Sequence, residues 1–171
     1  MRVLWITAGI VLLLDQVSKY IVVHRLNLRS VGDIDVWPPY LNFRMAWNRG
    51  VNFGLLADEG NLTRWILIVV AVAITVWVLI WMWRDRQGRW AMISGGLLVG
   101  GAVGNVIDRL IYGAVADFLN MSCCGLENPY AFNVADIAIF AGALGLVLFT
   151  SGSSKTNKGG KPRKSRRQKT P

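Results

Sequence analysis

The chain has 171 residues, of which 53% are hydrophobic and 17% are charged, and its formal net charge is +9. A disordered chain is poor in apolar residues and a soluble domain is seldom this apolar, so the composition indicates a membrane protein. Residues 151–171 hold eight Lys or Arg and no acid, which leaves residues 1–150 nearly neutral. We expect a disordered polybasic tail after one membrane-embedded domain, and no nucleic-acid partner.

The first candidate membrane span covers residues 3–23. Its apolar run is broken by Asp15, Gln16, Ser18 and Lys19. A basic residue before an apolar run is also typical of a cleaved signal peptide. However, no small-x-small cleavage site follows, and the apolar pattern resumes at residues 20–23. The pattern therefore favours a helix that remains in the protein.

Residues 24–64 form a connection with a strand-like pattern. Apolar side chains occupy every second position from 41 to 47 and again from 51 to 55, and Asn48-Arg49-Gly50 lies between them as a turn signal. We predict a small β-hairpin on the outer face of the membrane, beginning after the break at Pro38-Pro39. Residues 57–62 then form a short loop or surface helix.

Three further apolar segments follow, at residues 65–83, 90–112 and 131–150. The first is apolar apart from Thr75, and as a helix it would be about 28 Å long, close to the thickness of the hydrocarbon core. Gly96, Gly100 and Gly104 repeat at intervals of four and predict close helix packing. The fold expected is a mainly α membrane protein with four transmembrane helices.

The distribution of Lys and Arg predicts the orientation of these spans. With a cytoplasmic N-terminus, twelve Lys and Arg lie on the cytoplasmic side and five on the outer side. Cytoplasmic segments are enriched in these residues. Both termini are therefore expected in the cytoplasm.

Three of the four predicted spans carry polar residues near their outer ends. At 1.5 Å per residue, all lie within about 12 Å of the outer boundary. Ionisable groups inside spans are costly and usually functional. Asp117 follows the third span closely enough to fold back over this layer. The residues within the spans are Asp15, Lys19, Asn105, Asp108, Arg109, Asn133 and Asp136.

Two of the carboxylates lack a basic neighbour in the sequence. Asp15 has a lysine at i+4 and Asp108 has Arg109 beside it, whereas Asp117 and Asp136 have no such residue. We therefore expect Asp117 and Asp136 to share a site, where repulsion and burial raise one pKa and one proton is held between them. Such a pair suits an aspartic protease, with Asp136 as the base, Asp117 as the acid, and the roles exchangeable.

Other interpretations fit the pattern less well. Buried Asn and Asp can simply join helices, and a transporter also uses intramembrane carboxylates, but a transporter favours charges at the midplane and inverted repeats. A non-enzymatic assembly or lipid-binding factor has no evident use for paired aspartates. His24, Cys123 and Cys124 would make a poor thiol or metal site, so we expect no metal.

Five segments resemble, in order, the motifs of bacterial lipoprotein signal peptidases, the type II signal peptidases. The similarity runs from about residue 5 to residue 150, and the last three motifs together are highly specific. Arg49 and Asn52 depart from the family pattern, which commonly has a small hydroxyl residue and Ala there. The segments are residues 15–19 (DQVSK), 48–54 (NRGVNFG), 104–109 (GNVIDR), 115–118 (VADF) and 132–136 (FNVAD).

The resemblance implies an aspartic endopeptidase of the bacterial inner membrane, with four spans, an outer β-cradle, a short surface helix and an active site near the periplasmic face. Separately, we expect a monomer. Its expected substrates are diacylglyceryl-modified prolipoproteins, cut just before the lipidated Cys without metal or cofactor. Membrane phospholipid and globomycin-type inhibitors are further expected partners. The implied catalytic pair is Asp117 and Asp136. Supporting or substrate-binding roles fall to Asp15, Lys19, Asn48, Gly50, Asn105, Asp108, Arg109, Asn133 and Ala135.

Overall fold

The computed structural model describes residues 1–50, 60–85, 87–122 and 128–150. Five α-helices and three strands lie within these ranges. The helices are α1 (Arg2–Lys19), α2 (Leu28–Val31), α3 (Gly60–Arg84), α4 (Arg89–Tyr112) and α5 (Val134–Thr150), and α1 continues as a π-helical segment, Tyr20–Arg25. The strands are β1 (Asp33–Trp37), β2 (Leu41–Asn48) and β3 (Val115–Met121).

All four predicted spans are helical. Helix α1 with its π-helical continuation, α3 and α4 are each long and apolar enough to cross a membrane, and α5 is a shorter apolar helix of 17 residues. Helix α5 begins at Val134, three residues later than predicted. Its approach is fixed by Phe132, which exchanges backbone hydrogen bonds with Leu119 of β3 at 2.9 and 2.8 Å.

Helix α4 lies at the centre of the bundle and packs against α1, α3 and α5. Small residues allow these close approaches, as predicted. A Cβ at Gly100 would lie 2.6 Å from the carbonyl oxygen of Ala8 in α1, and one at Gly142 would lie 2.6 Å from the backbone nitrogen of Leu98 in α4. In lipid, such packing replaces the hydrophobic effect as the main force between helices.

The strands form one antiparallel sheet in the order β1-β2-β3. A hairpin in this sheet joins β1 to β2, with Pro38-Pro39 in its turn; the strand predicted from residue 41 is present as β2, whereas β1 was not predicted. The predicted partner strand at 51–55 lies outside the described residues. The predicted short loop or helix at 57–62 lies partly outside them, and from Gly60 onward it belongs to α3.

The sheet covers the end of the bundle where α4 stops. Its core contains Phe118 and Leu28, both almost fully buried, and Phe43, whose ring meets that of Phe118 edge to face at 5.7 Å. Such aromatic pairs add to the free energy gained from burial. The sheet is thereby fixed against α2 and the π-helical segment, and β3 is held above the polar end of the helices.

Candidate active site

A sharp reversal after α4 brings Asp117 back over the helices. Gly113 caps α4 in the left-handed conformation (φ +76°), and its N–H donates to the carbonyl oxygen of Arg109 at 3.1 Å. Glycine adopts this conformation without strain, which explains its place here. Strand β3 starts two residues later and pairs Asp117 with Ala46 of β2. The side chain of Asp117 is only 3% exposed.

Two asparagines hold the Asp117 carboxylate. The Asn48 side-chain amide donates to Oδ2 at 3.1 Å, and the Asn133 amide donates to Oδ1 at 2.6 Å. Asn48 is itself oriented by the turn after β2, because the N–H of Gly50 donates to its Oδ1 at 3.0 Å. Gly50 has φ +106°, and a Cβ there would lie 2.7 Å from Leu67 Cδ1, so this turn requires glycine.

Asp136 lies in the first turn of α5, opposite its capping residue. Its N–H donates to Asn133 Oδ1 at 2.9 Å, and the Asn133 N–H donates back to Asp136 Oδ2 at 3.2 Å, which is the reciprocal pattern of a capping box. Asn105 of α4 donates to Asp136 Oδ1 at 2.8 Å. The positive end of the helix dipole further favours a carboxylate at this position.

Asn133 connects the two carboxylates directly. Its side chain is fully buried, with the amide nitrogen on Asp117 and the amide oxygen on the N–H of Asp136. The same amide nitrogen also donates to Asn105 Oδ1 at 3.3 Å. The structure therefore brings together four residues of the predicted site from β3, α4 and the start of α5. They are Asn105, Asp117, Asn133 and Asp136.

The pKa of Asp117 is raised to about 6. The largest cause is burial, which disfavours the charged form, and the second is the nearby charge of Asp136. The hydrogen bonds from Asn48 and Asn133 and the charge of Lys19 act in the opposite direction. A proton on Asp117 is therefore available near neutral pH, unlike a proton on an ordinary aspartic acid.

An ion cluster lies beside this pair. Lys19 Nζ is 2.8 Å from Asp15 Oδ2, as the i,i+4 spacing predicted, and also 2.8 Å from Asp108 Oδ2 of α4. The ion-pair partner of Asp108 is therefore a lysine from another helix rather than Arg109, its neighbour in the sequence. Gln16, which was not among the predicted site residues, donates to Asp15 and to Asp108 at 3.1 Å each. Its position among the few polar residues of the first span was the available signal.

The ion cluster also holds the backbone next to each carboxylate of the pair. Asp15 Oδ1 accepts from the N–H of Ala135 at 3.0 Å, and Asp108 Oδ2 accepts from the N–H of Ala116 at 3.1 Å. These alanines directly precede Asp136 and Asp117 in the sequence. Both alanines are buried, Ala135 fully. The structure thus gives four of the predicted site residues a supporting role, because the ion cluster contacts the backbone next to each aspartate of the pair and not its carboxylate. They are Asp15, Lys19, Asp108 and Ala135.

Arg109 lies near the pair. Its guanidinium donates to the carbonyl oxygen of Asn105 at 3.2 Å, and its charge interacts with Asp136, Asp117 and Asp108, in decreasing order. A basic residue therefore does accompany the two carboxylates, although it is not adjacent to either in the sequence.

Of the weaker candidates for chemistry, the described one, His24, makes its contacts with two tyrosines. His24 is exposed, and its Nε2 lies 3.3 Å from the hydroxyl of Tyr112. Cys123 and Cys124 lie outside the described residues. Within the described part of the chain, no three His, Cys, Asp or Glu side chains cluster as metal ligands. What the site offers is two carboxylates held by neutral amides, one of them with a raised pKa.

Comparison with known proteins gives a consistent family. The family model described as "Signal peptidase (SPase) II" matches residues 7–151. The lipoprotein signal peptidase of Methylobacterium sp. (strain 4-46) is 41% identical over 149 residues, covering 84% of this chain and 86% of that protein. That of Methylorubrum extorquens (strain PA1) is 46% identical over 110 residues, which are 64% of this chain and 63% of that protein.

The fold is also similar to a solved structure. A bacterial membrane enzyme determined by the in meso method at 2.3 Å superposes with a TM-score of 0.72 at 27% identity, covering 94% of this chain and 96% of that chain. The family match covers α1 from residue 7 onward, the other four helices and the sheet, and it includes both carboxylates of the pair. The chain therefore belongs to the signal peptidase II family.

Proposed function

We propose that this protein is an aspartic endopeptidase that removes the signal peptide from diacylglyceryl-modified prolipoproteins, cutting on the N-terminal side of the lipidated Cys. Membership of the signal peptidase II family supports the reaction. The observation that carries the mechanism is the Asn133 bridge: its side-chain amide donates to the Asp117 carboxylate and its backbone N–H donates to the Asp136 carboxylate, so one residue holds both. No metal or cofactor is needed for this chemistry.

The mechanism begins with Asp136 ionised and Asp117 protonated. Asp136 takes a proton from a water molecule as the water oxygen attacks the scissile carbonyl carbon, while Asp117 gives its proton to the carbonyl oxygen. The tetrahedral intermediate then collapses, the C–N bond breaks, and the proton on Asp136 passes to the leaving amine. Asp117 recovers a proton from the hydroxyl of the new carboxylic acid, which restores the starting state.

The surroundings of each carboxylate support these roles. Asp136 accepts hydrogen bonds from Asn105 and from a backbone N–H at the positive end of α5, and both stabilise a negative charge. Asp117 is more deeply buried, and its pKa of about 6 keeps a useful fraction protonated. Because one proton is shared, the two roles are exchangeable between half-reactions.

The depth of the site suits a lipidated substrate. The pair lies where α4 ends and α5 begins, so a peptide bond next to acyl chains in the membrane would be held at this level. We infer that this end faces the periplasm, that both termini are cytoplasmic and that the protein works as a monomer in the bacterial inner membrane. A lipopeptide of the globomycin type would compete for the same site.

The test is cleavage by the purified protein. Incubation with a lipidated preprolipoprotein is expected to yield a product whose mass matches the chain that begins at the diacylglyceryl-Cys. The same polypeptide without the lipid is expected to remain intact. A metal chelator should leave the rate unchanged. Failure of the wild-type protein to cut the lipidated substrate, or equal cleavage of the unlipidated one, would refute the proposed function.

A further inference from the structure

A second polar cleft lies at the same end of the molecule as the carboxylate pair. It has a volume of about 260 Å³ and is lined by Arg29, Trp47, Arg49, Tyr112 and Ala114. These residues come from α2, the end of β2, the turn after β2, and the end of α4 with the residues that follow it. Two arginines from different parts of the chain therefore line one cavity.

This cleft is separate from the carboxylate pair. Asn48 directs its side chain to Asp117, and Trp47 precedes it on the same strand. Successive side chains of a strand point to opposite faces, so Trp47 lies on the face of β2 that is turned away from Asp117. Its ring instead meets that of Tyr112, with centroids 5.5 Å apart.

The charge of the cleft favours an anion. Within the described ranges, the ion pairs of the protein are those of Lys19 and Arg44, and neither Arg29 nor Arg49 takes part in one. Two arginines facing one cavity attract negative charge, and the planar guanidinium matches two oxygens of a phosphate group. The lining therefore suits a phosphate ester better than a neutral ligand.

The position of the cleft points to a lipid as the source of that phosphate. Tyr112 ends α4, and the two preceding residues, Leu110 and Ile111, are 48% and 64% exposed. In a membrane, these apolar side chains face acyl chains. Trp and Tyr are enriched at the level of the headgroups, which is where Trp47 and Tyr112 place the cleft. A phospholipid lying against α4 would bring its phosphate to the two arginines.

We propose that the Arg29–Arg49 cleft binds the phosphate group of an anionic phospholipid whose acyl chains lie against the end of α4. This binding depends on the membrane location of the protein and not on peptide cleavage. It gives Arg49, which departs from the family pattern, a role that is specific to this chain.

The experiment measures the binding of dihexanoyl phosphatidylglycerol and dihexanoyl phosphatidylcholine to the delipidated full chain in detergent by native mass spectrometry. The anionic lipid is expected to bind more tightly than the zwitterionic one. The variant Arg29→Gln/Arg49→Gln should bind it about tenfold more weakly, as expected from the loss of charge-assisted hydrogen bonds. Arg49→Lys, which keeps the positive charge but loses the planar guanidinium that can bond two phosphate oxygens, should give an intermediate affinity.

The matched control is Arg84→Gln/Arg89→Gln, which removes the same charge at the end of the bundle far from the cleft, where α3 ends and α4 begins. It should keep the wild-type affinity, and equal weakening by both double variants would overturn the proposal. Equal binding of the two lipids would also overturn it. So would displacement of the bound anionic lipid by inorganic phosphate at the same concentration at which unlabelled anionic lipid displaces it. A thermal midpoint equal to that of the control shows that the double variant is folded.

Discussion

Lys19 Nζ lies 2.8 Å from the carboxylate of Asp108, so that a buried lysine joins α1 to α4. The same nitrogen is 2.8 Å from Asp15, and all three side chains are at most 6% exposed. Through Ala116 and Ala135, the two carboxylates of this cluster hold the backbone that carries the proposed catalytic pair. The cluster thus provides a rigid support for both aspartates.

We expect Lys19→Met to destabilise the protein strongly. Removing one partner of a buried ion pair leaves an uncompensated charge and costs about 3–5 kcal/mol in the free energy of unfolding. The measurement is the thermal midpoint in detergent. Adding Asp108→Asn should recover part of the loss, because one of the two stranded carboxylates becomes neutral. A midpoint unchanged from wild type would show that the cluster adds nothing to stability.

Gly104→Ala should damage the same support from a different direction. A Cβ at Gly104 would lie 2.6 Å from Asp15 Oδ2, and Asp15 must keep its place to hold the N–H of Ala135. We expect a loss of about 1–3 kcal/mol in stability, typical of overpacking. Gly9→Ala in α1 is the matched control, since nothing lies within 4 Å of its added Cβ. A Gly104→Ala variant as stable as this control would contradict the packing argument.

The pH dependence of cleavage should report the protonation of Asp117. Its pKa is raised to about 6, so the protonated acid is abundant below pH 6 and is lost as the pH rises through that value. On the alkaline side, kcat/KM of the free enzyme should therefore fall about tenfold per pH unit. The measurement is cleavage of a lipidated substrate across pH 5 to about 9. A kcat/KM that stays level through this range would rule out Asp117 as the acid.

Asn48→Ala should move this alkaline limb to higher pH. The Asn48 amide donates to Asp117 and stabilises its charged form, which lowers the pKa. Without that donor the pKa of Asp117 rises further, and the acid stays protonated to higher pH. Asn42→Ala, the same substitution elsewhere on β2, serves as the control and should leave the profile in place. If the pH profiles of Asn48→Ala and Asn42→Ala are identical, the hydrogen bond from Asn48 does not lower the pKa of Asp117.

The helices and the polar end of the bundle were predictable from the sequence. Helices that face lipid need long apolar runs, so the four segments are visible and their ends differ from the structure by only a few residues. The rise per residue in a helix then places Asp15, Asn105 and Asp136 at one level. The contacts from Asn105 to Asp136 and from Asp15 to Ala135 confirm that these residues meet.

The sheet and the ion partners were not predictable in the same way. Strand β3 is buried on both faces over most of its length, so it lacks the alternation that marks a half-exposed strand. Because β1 pairs with β2, Pro38-Pro39 lies in the turn between these strands. The sequence pattern had indicated only that the prolines interrupt the chain before residue 41. The cation on Asp108 is a lysine 89 residues earlier in the chain, and only the packing of α1 on α4 brings the two together.

The most direct test of the account is the cleavage rate of Asp117→Asn and Asp136→Asn on a lipidated preprolipoprotein, beside Asp35→Asn as the matched control. Asp35 is an exposed carboxylate of β1, away from the pair. We expect each of the first two variants to fold and to lose at least about a hundredfold in rate, as removal of a general acid or base does, while Asp35→Asn keeps the wild-type rate. Undiminished cleavage by either Asp117→Asn or Asp136→Asn would contradict the proposed pair.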